Sequence, residues 1–137
     1  RQHAATLHSA TGTPLLVTVS VPESLPPLPA ATEVAAYRIV VEALTNVVRH
    51  SAASRADVSL SVEDRALVLA VRDDGGSGGD WTPGVGIASM RERALQVGGT
   101  LTATAAEGGG SVEAAIPLGT TVETPWQGRY VRRFDRD

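Results

Sequence analysis

The stretch from Thr32 to His50 limits what this chain can become more than any other part of it. Ile39, Val40, Ala43, Leu44, Val47 and Val48 recur along it at helical spacing, so it predicts one long helix with a single buried stripe. The segment before it carries prolines at 22, 26, 27 and 29 and can only be an extended connection. Ser51 to Ser54 breaks the helix on the far side. A helix of this length with one apolar stripe needs a broad apolar surface to lie on, and the rest of the chain must supply it.

The remaining segments read as the pieces of a sheet. Residues 1–11 suit a short helix stopped by Gly12, with Pro14 just beyond. From Leu15 to Val21, Val17, Val19 and Val21 alternate with Thr18 and Ser20, a strand pattern. Val58, Leu60 and Val62 alternate with serines, and Leu67, Leu69 and Val71 with small residues. Glu63, Asp64 and Arg65 lie between the two runs, so they predict an antiparallel hairpin. Asp73 to Val85 is a glycine-rich loop, and Gly86 to Val97 a second helix. Gly98-Gly99 turns the chain into a strand over Thr100–Ala105, and Gly108–Gly110 into a last strand over Ser111–Ile116. Helices falling between antiparallel strand pairs give an α/β fold, a two-layer sandwich.

Composition narrows the functions open to such a fold. The 137 residues suit one domain with one core, built from small and aliphatic side chains because aromatics make up only 4%. The net charge of −3 leaves no basic footprint for a nucleic acid. The run Arg129 to Arg136 is short, is interrupted by Asp135, and reads as a solvated tail. The absence of cysteine excludes disulfides, thiolate metal sites and cysteine nucleophiles. No apolar run approaches the roughly 18 to 20 residues that span a bilayer. The chain opens on Arg1-Gln2-His3, without Met or a signal-like segment, and is expected to be a piece of a longer gene product.

Three segments carry chemistry. On the long helix, Glu42, Asn46 and His50 are spaced i, i+4, i+8 and form one polar ridge, with Arg49 beside it and the apolar stripe on the other side. A carboxylate and an amide oxygen one turn apart suit a hard, octahedral Mg²⁺, directly or through water. Arg49 or His50, a turn further, suits phosphate oxygens. The second segment is Val71-Arg72-Asp73-Asp74-Gly75-Gly76-Ser77-Gly78-Gly79, directly after a strand. An Asp at a strand end accepts a hydrogen bond from an exocyclic amine such as that of adenine, and glycines let a flat base approach the backbone. The third is Gly84-Val85-Gly86-Ile87 opening the second helix, where free backbone N–H groups and the positive dipole end favour an anion. It lacks the Gly-Lys-Ser/Thr ending of a Walker loop. Each segment alone reads sooner as a solvated helix face, a flexible turn or an ordinary helix start.

In this order and spacing the three resemble one family. Tyr37-Arg38-Ile39-Val40-Val41-Glu42-Ala43-Leu44-Thr45-Asn46-Val47-Val48-Arg49-His50 resembles the N box of histidine kinases, and most of all the subfamily of nitrate and desaturase sensors. Asp73-Asp74-Gly75 resembles the G1 box. Gly84-Val85-Gly86-Ile87 with Met90-Arg91-Glu92-Arg93-Ala94 resembles that subfamily's G2 region. Gly98-Gly99-Thr100-Leu101 and Gly109-Gly110-Ser111 also fall where the family turns into its last strands. The resemblance covers roughly residues 15 to 118.

The resemblance implies the GHKL α/β sandwich shared with gyrase and MutL-type ATPases, a mixed, mostly antiparallel sheet covered by helices on one face. It implies a histidine protein kinase catalytic domain over residues 1–118, followed by a tail at 119–137. Asn46 would ligate Mg²⁺, with Glu42 near it polarising water or the incoming nucleophile. Asp73 would accept from the adenine amine, with Gly75 making room for the ring. Arg49 and His50 would lie near the phosphates, Gly84 and Gly86 would edge the lid over the triphosphate, and Ser111 matches a hydroxyl position near the base. The implied partners are ATP, the dimerisation and phosphoacceptor domain of the parent kinase and, indirectly, a response regulator. The implied setting is a cytoplasmic domain, with a membrane anchor on the parent kinase left open. Two departures stand out. Ser77 occupies the position where the G1 box usually has its second glycine. The dimerisation helix with its His-Asp phosphoacceptor motif is missing, because neither His3 nor His8 is followed by an acidic neighbour. The same residues also fit an anti-sigma-factor-like regulatory ATP-binding module, or a degenerate nucleotide sensor motivated by Ser77.

Overall fold

The computed structural model describes residues 2–8, 14–50, 53–75, 85–106 and 108–118. Among the described residues, six strands and two helices follow in the order β1 (Gln2–His8), β2 (Pro14–Ser20), α1 (Ala30–His50), β3 (Arg55–Glu63), β4 (Ala66–Asp73), α2 (Val85–Gln96), β5 (Thr100–Ala106) and β6 (Gly109–Pro117). The strands form one sheet in the order β1-β2-β3-β4-β6-β5. Among the described strands, β2 and β3 pair in parallel and the other four pairings are antiparallel. A parallel pair needs a crossover, and α1 supplies it, running back across the sheet between β2 and β3.

The two helices cover one face of the sheet, and alternation along each strand selects the residues that meet them. Val19, Val58, Val71, Val112 and Ala103 lie in one row across five strands, and Leu60, Leu69, Ala114 and Leu101 in the next. Ile39, Ala43 and Val47 of α1 and Ile87, Met90 and Ala94 of α2 are buried against these rows. Ile39, fully excluded from solvent, contributes about 1.5–3 kcal/mol by its burial. Val34, Tyr37 and Val41 lie on the outer face of α1 and are exposed. No helix of the described residues is long and apolar enough to cross a membrane.

The turns explain where the elements stop. The β3–β4 hairpin closes through Asp64 and Arg65, both at positive φ (50° and 61°), which matches the right-handed twist of the strands. The Arg65 carbonyl accepts from the Leu118 N–H at 2.9 Å and ties down the end of β6. α2 ends in a Schellman motif: Gly98 takes φ 77°, its N–H donates to the Leu95 carbonyl at 3.0 Å, and the Gly99 N–H to the Ala94 carbonyl at 2.7 Å.

The short helix expected near the N-terminus is instead β1. Gln2–His8 pairs with β2 from Gln2 opposite Ser20 to His8 opposite Pro14. All seven of its side chains are exposed. The strand is held through its backbone, and with no face buried it leaves no period-2 signature in the sequence.

Candidate nucleotide-binding site

The site begins with alternation in β4. Leu67, Leu69 and Val71 face the helices, so Asp73, two residues further, points its carboxylate to the same side at the end of the strand. Asp73 Oδ1 accepts from the Gly75 N–H at 2.9 Å, which folds the chain over as it leaves the strand. On the neighbouring strand, a side-chain carbon built on Gly110 would stand 2.9 Å from Asp73 Oδ2. Only a residue without a side chain fits against that flank of the carboxylate without displacing it.

The second cluster lies between the helices. A side-chain carbon built on Gly86 would stand 2.9 Å from Glu42 Oε1, 3.0 Å from Asn46 Nδ2 and 3.3 Å from Asn46 Oδ1. The bare backbone at Gly86 therefore lets the start of α2 close onto the carboxylate and the amide of α1. Glu42 and Asn46 are half-buried at this seam rather than on the face of α1 opposite the core. The first turn of α2 contains no acidic residue, so the positive end of its dipole and its free N–H groups remain available to an anion.

Two oxygen-bearing side chains that converge where a Cβ would otherwise sit fit part of a Mg²⁺ shell. Mg²⁺ takes about six oxygens and keeps several as water or phosphate, so two protein donors are the expected contribution. Among the described residues no cluster of three or more His, Cys, Asp or Glu side chains could hold a metal alone.

The remaining expected site residues are placed as follows. Arg49 is exposed in the last turn of α1. His50 is the last residue of α1, and its side chain lies outside the described residues, as do Gly84, Ser77 and the tail at 119–137. Ser111 is not brought to the Asp73 carboxylate. It pairs with Arg72 and Thr104, and alternation turns it to the sheet face opposite Val112. The residue beside Asp73 is Gly110, one position earlier.

Nothing in the sequence alone singles out Asp74 and Ser54. Asp74 Oδ1 accepts from the backbone N–H of Ser54 at 2.9 Å and of Arg55 at 3.0 Å, and Oδ2 accepts from Ser54 Oγ at 3.0 Å. The Asp74 N–H in turn donates to the Arg55 carbonyl at 3.2 Å. These bonds, led by that from the Arg55 backbone, hold the Asp74 carboxyl below its ordinary value against a smaller opposing effect of desolvation. An Asp-Gly dipeptide signals a turn, but a partner some 20 residues away leaves no local trace.

Comparison with known proteins identifies the family. Residues 31–123 match the family model described as histidine kinase-, DNA gyrase B-, and HSP90-like ATPase. Sensor histidine kinase YxjM of Bacillus subtilis (strain 168) is 42% identical over 100 residues, 72% of this chain and 24% of that protein. Sensor histidine kinase NarS of Mycobacterium tuberculosis is 40% identical over 89 residues, 60% of this chain and 21% of that protein. The chain thus spans about a quarter of the length of these curated relatives. Among solved structures, the histidine kinase domain of the blue-light activated histidine kinase from Erythrobacter litoralis EL346 superposes with a TM-score of 0.58 and 29% identity. That match covers 73% of this chain and 54% of the other. With more than half of its length inside the family model, and with the sheet, the two helices and the glycine contacts described above, the chain belongs to the histidine kinase-, DNA gyrase B- and HSP90-like ATPases.

Proposed function

We propose that this chain is the ATP-binding catalytic domain of a sensor histidine kinase, and that it donates the γ-phosphoryl group of Mg·ATP to a histidine on a dimerisation domain. The observation that carries this reading is the closure of α2 onto Glu42 and Asn46 at Gly86, on the sheet face to which Asp73 also points. Asp73 accepts from the adenine amine, with Gly75 and Gly110 keeping the approach to its carboxylate clear. Asn46 and Glu42 hold Mg²⁺, which when bound neutralises charge on the phosphates. The N-terminus of α2, with Gly84 before it, and Arg49 and His50 at the end of α1 receive the triphosphate. Ser111 has no part in this reading, because it faces the other side of the sheet.

Phosphoryl transfer asks a protein mainly for positioning and charge stabilisation. The bond from the γ-phosphorus to the bridging oxygen breaks, ADP leaves with the electron pair, and a bond forms to the imidazole nitrogen of the acceptor. Glu42 in this reading polarises that nucleophile, and the proton that the imidazole ring gives up on phosphorylation passes to Glu42 or to water. In this reading residues 1–118 are the working unit, it operates in the cytoplasm where ATP is held, and a response regulator takes the phosphoryl group onward.

Calorimetric titration of ATP, with and without Mg²⁺, tests the reading. Wild type is expected to bind and to bind more tightly with Mg²⁺. Asp73→Asn, which replaces an acceptor oxygen by a donor, is expected to weaken ATP binding at least about tenfold. Asn46→Ala is expected to remove the Mg²⁺ dependence. Unchanged affinity in Asp73→Asn would overturn the assignment of the adenine site.

A further inference from the structure

Asp73 is the side chain on which base recognition rests in the reading above, yet what sets its direction lies outside the sequence of the site. On its N-terminal side, Arg72 is fixed by the sheet, pairing with Asp57 and with Ser111. Asp73 itself pairs with Ala56 as the last residue of β4, and beyond it the chain leaves the sheet. There Asp74 ties the departing chain down. Its carboxylate takes three donors from Ser54 and Arg55, and its own N–H donates back to the Arg55 carbonyl. The contact forms a closed clasp between the loop leaving β4 and the chain entering β3.

We infer that Asp74 is a positioning residue that enforces the preference for adenine over guanine, by holding the Asp73 carboxylate in the direction that meets an exocyclic amine. The inference rests on the assignment of Asp73 as the acceptor for the base. Adenine presents an N–H donor at its 6-position and guanine presents a carbonyl oxygen there. A carboxylate held in place accepts from the first and faces the second with two lone-pair-bearing atoms opposed. A carboxylate free to rotate away loses the favourable bond and removes the clash, so discrimination falls from both sides. The clasp also fixes the Gly75 N–H, which donates to Asp73 Oδ1 at 2.9 Å. Asp74 itself is exposed on the far side of the turn, bonded to Ser54 and Arg55, and in this role it touches no nucleotide.

The test compares Mg·ATP and Mg·GTP affinities by calorimetry for the 137-residue chain and four variants, with thermal unfolding followed in parallel. Asp74→Ala removes all three acceptor bonds and is expected to lower the ATP-to-GTP preference at least about fivefold, with ATP affinity itself falling about tenfold. Asp74→Asn keeps an oxygen for the two backbone N–H groups and is expected to stay within about threefold of wild type in that preference. Asp74→Glu keeps the charge but lengthens the arm, and is expected to lose at least about threefold. It serves as the second reading if Asp74→Ala does not fold. Asp73→Asn is the control. A preference unchanged in Asp74→Ala and Asp74→Glu, together with loss of ATP binding in Asp73→Asn, would overturn the role of Asp74 and leave the adenine site standing. A preference unchanged in Asp73→Asn as well would overturn the adenine assignment and the inference with it. A merely structural clasp would lower the unfolding temperature and weaken both nucleotides alike, and that outcome also refutes the inference.

Discussion

Gly86 separates what a residue does for the fold from what it does for the site. Its φ is not in the left-handed region, so a helix would accept alanine there, and alanine is favoured over glycine in a helix interior by roughly 1 kcal/mol. The atoms in the way of a methyl group are Glu42 Oε1 and the Asn46 amide, the ends of side chains that can swing aside. Gly86→Ala is therefore expected to hold or raise the unfolding temperature while weakening Mg·ATP binding at least about tenfold, because the displaced groups are the ones assigned to the metal. Unfolding followed by a thermal scan and binding followed by calorimetry must move in opposite directions; parallel loss would show that Gly86 matters for packing alone. The sequence revealed Gly86 as a glycine opening a helix, but the reason for it depends on Glu42 and Asn46, some 40 residues earlier. Asp73 was more legible, since the period-2 rhythm of Leu67, Leu69 and Val71 extends onto it. Asp74 was legible only as a turn residue, because its partners come from another part of the chain.

Among the elements, the β5–β6 hairpin shows how tightly a turn can be bound to the site. Gly109 has φ 131°, and a side-chain carbon built on it would stand 1.7 Å from the Asp73 backbone carbonyl oxygen. Here the obstacle is backbone, which cannot swing aside. Gly109→Ala is expected to lower stability by about 3 kcal/mol or more and to abolish nucleotide binding, since the turn must part from the end of β4 to admit the methyl group. Chemical denaturation would measure the first effect; a loss below about 1 kcal/mol would show that the hairpin can shift freely away from Asp73. The elements that bury a face were all readable: α1 by its apolar stripe, β3 and β4 by their alternation, α2 by its glycine boundaries. The Schellman end of α2 follows from Gly98-Gly99 alone. A helical wheel puts the face of α1 that carries Glu42 and Asn46 opposite the core, because it does not show where a second helix will pack.

At the scale of the whole molecule, β1 is the element whose removal best tests how the fold is held together. Its seven side chains are exposed, so it adds almost no apolar burial and contributes mainly its backbone bonds to β2. The core lies elsewhere, under α1 and α2, and β2 keeps its own inward residues Leu15 and Val17 buried and its parallel pairing with β3. Each backbone bond of this kind contributes a net of about 1 kcal/mol or less, offset by the entropy of ordering the strand. A chain beginning at residue 14 is therefore expected to unfold cooperatively within about 5 °C of the full chain and to bind Mg·ATP within about twofold, because the groups assigned to the nucleotide all lie beyond β2. Its newly open β2 edge, with Leu16 exposed, should instead show in solution behaviour, as self-association that grows with concentration in light scattering. A fall of more than about 10 °C, or loss of ATP binding, would mean that β1 belongs to the cooperative unit. In that case the parallel β2–β3 pair depends on having strands on both sides, and the sheet, rather than the helix layer, sets the stability of the site.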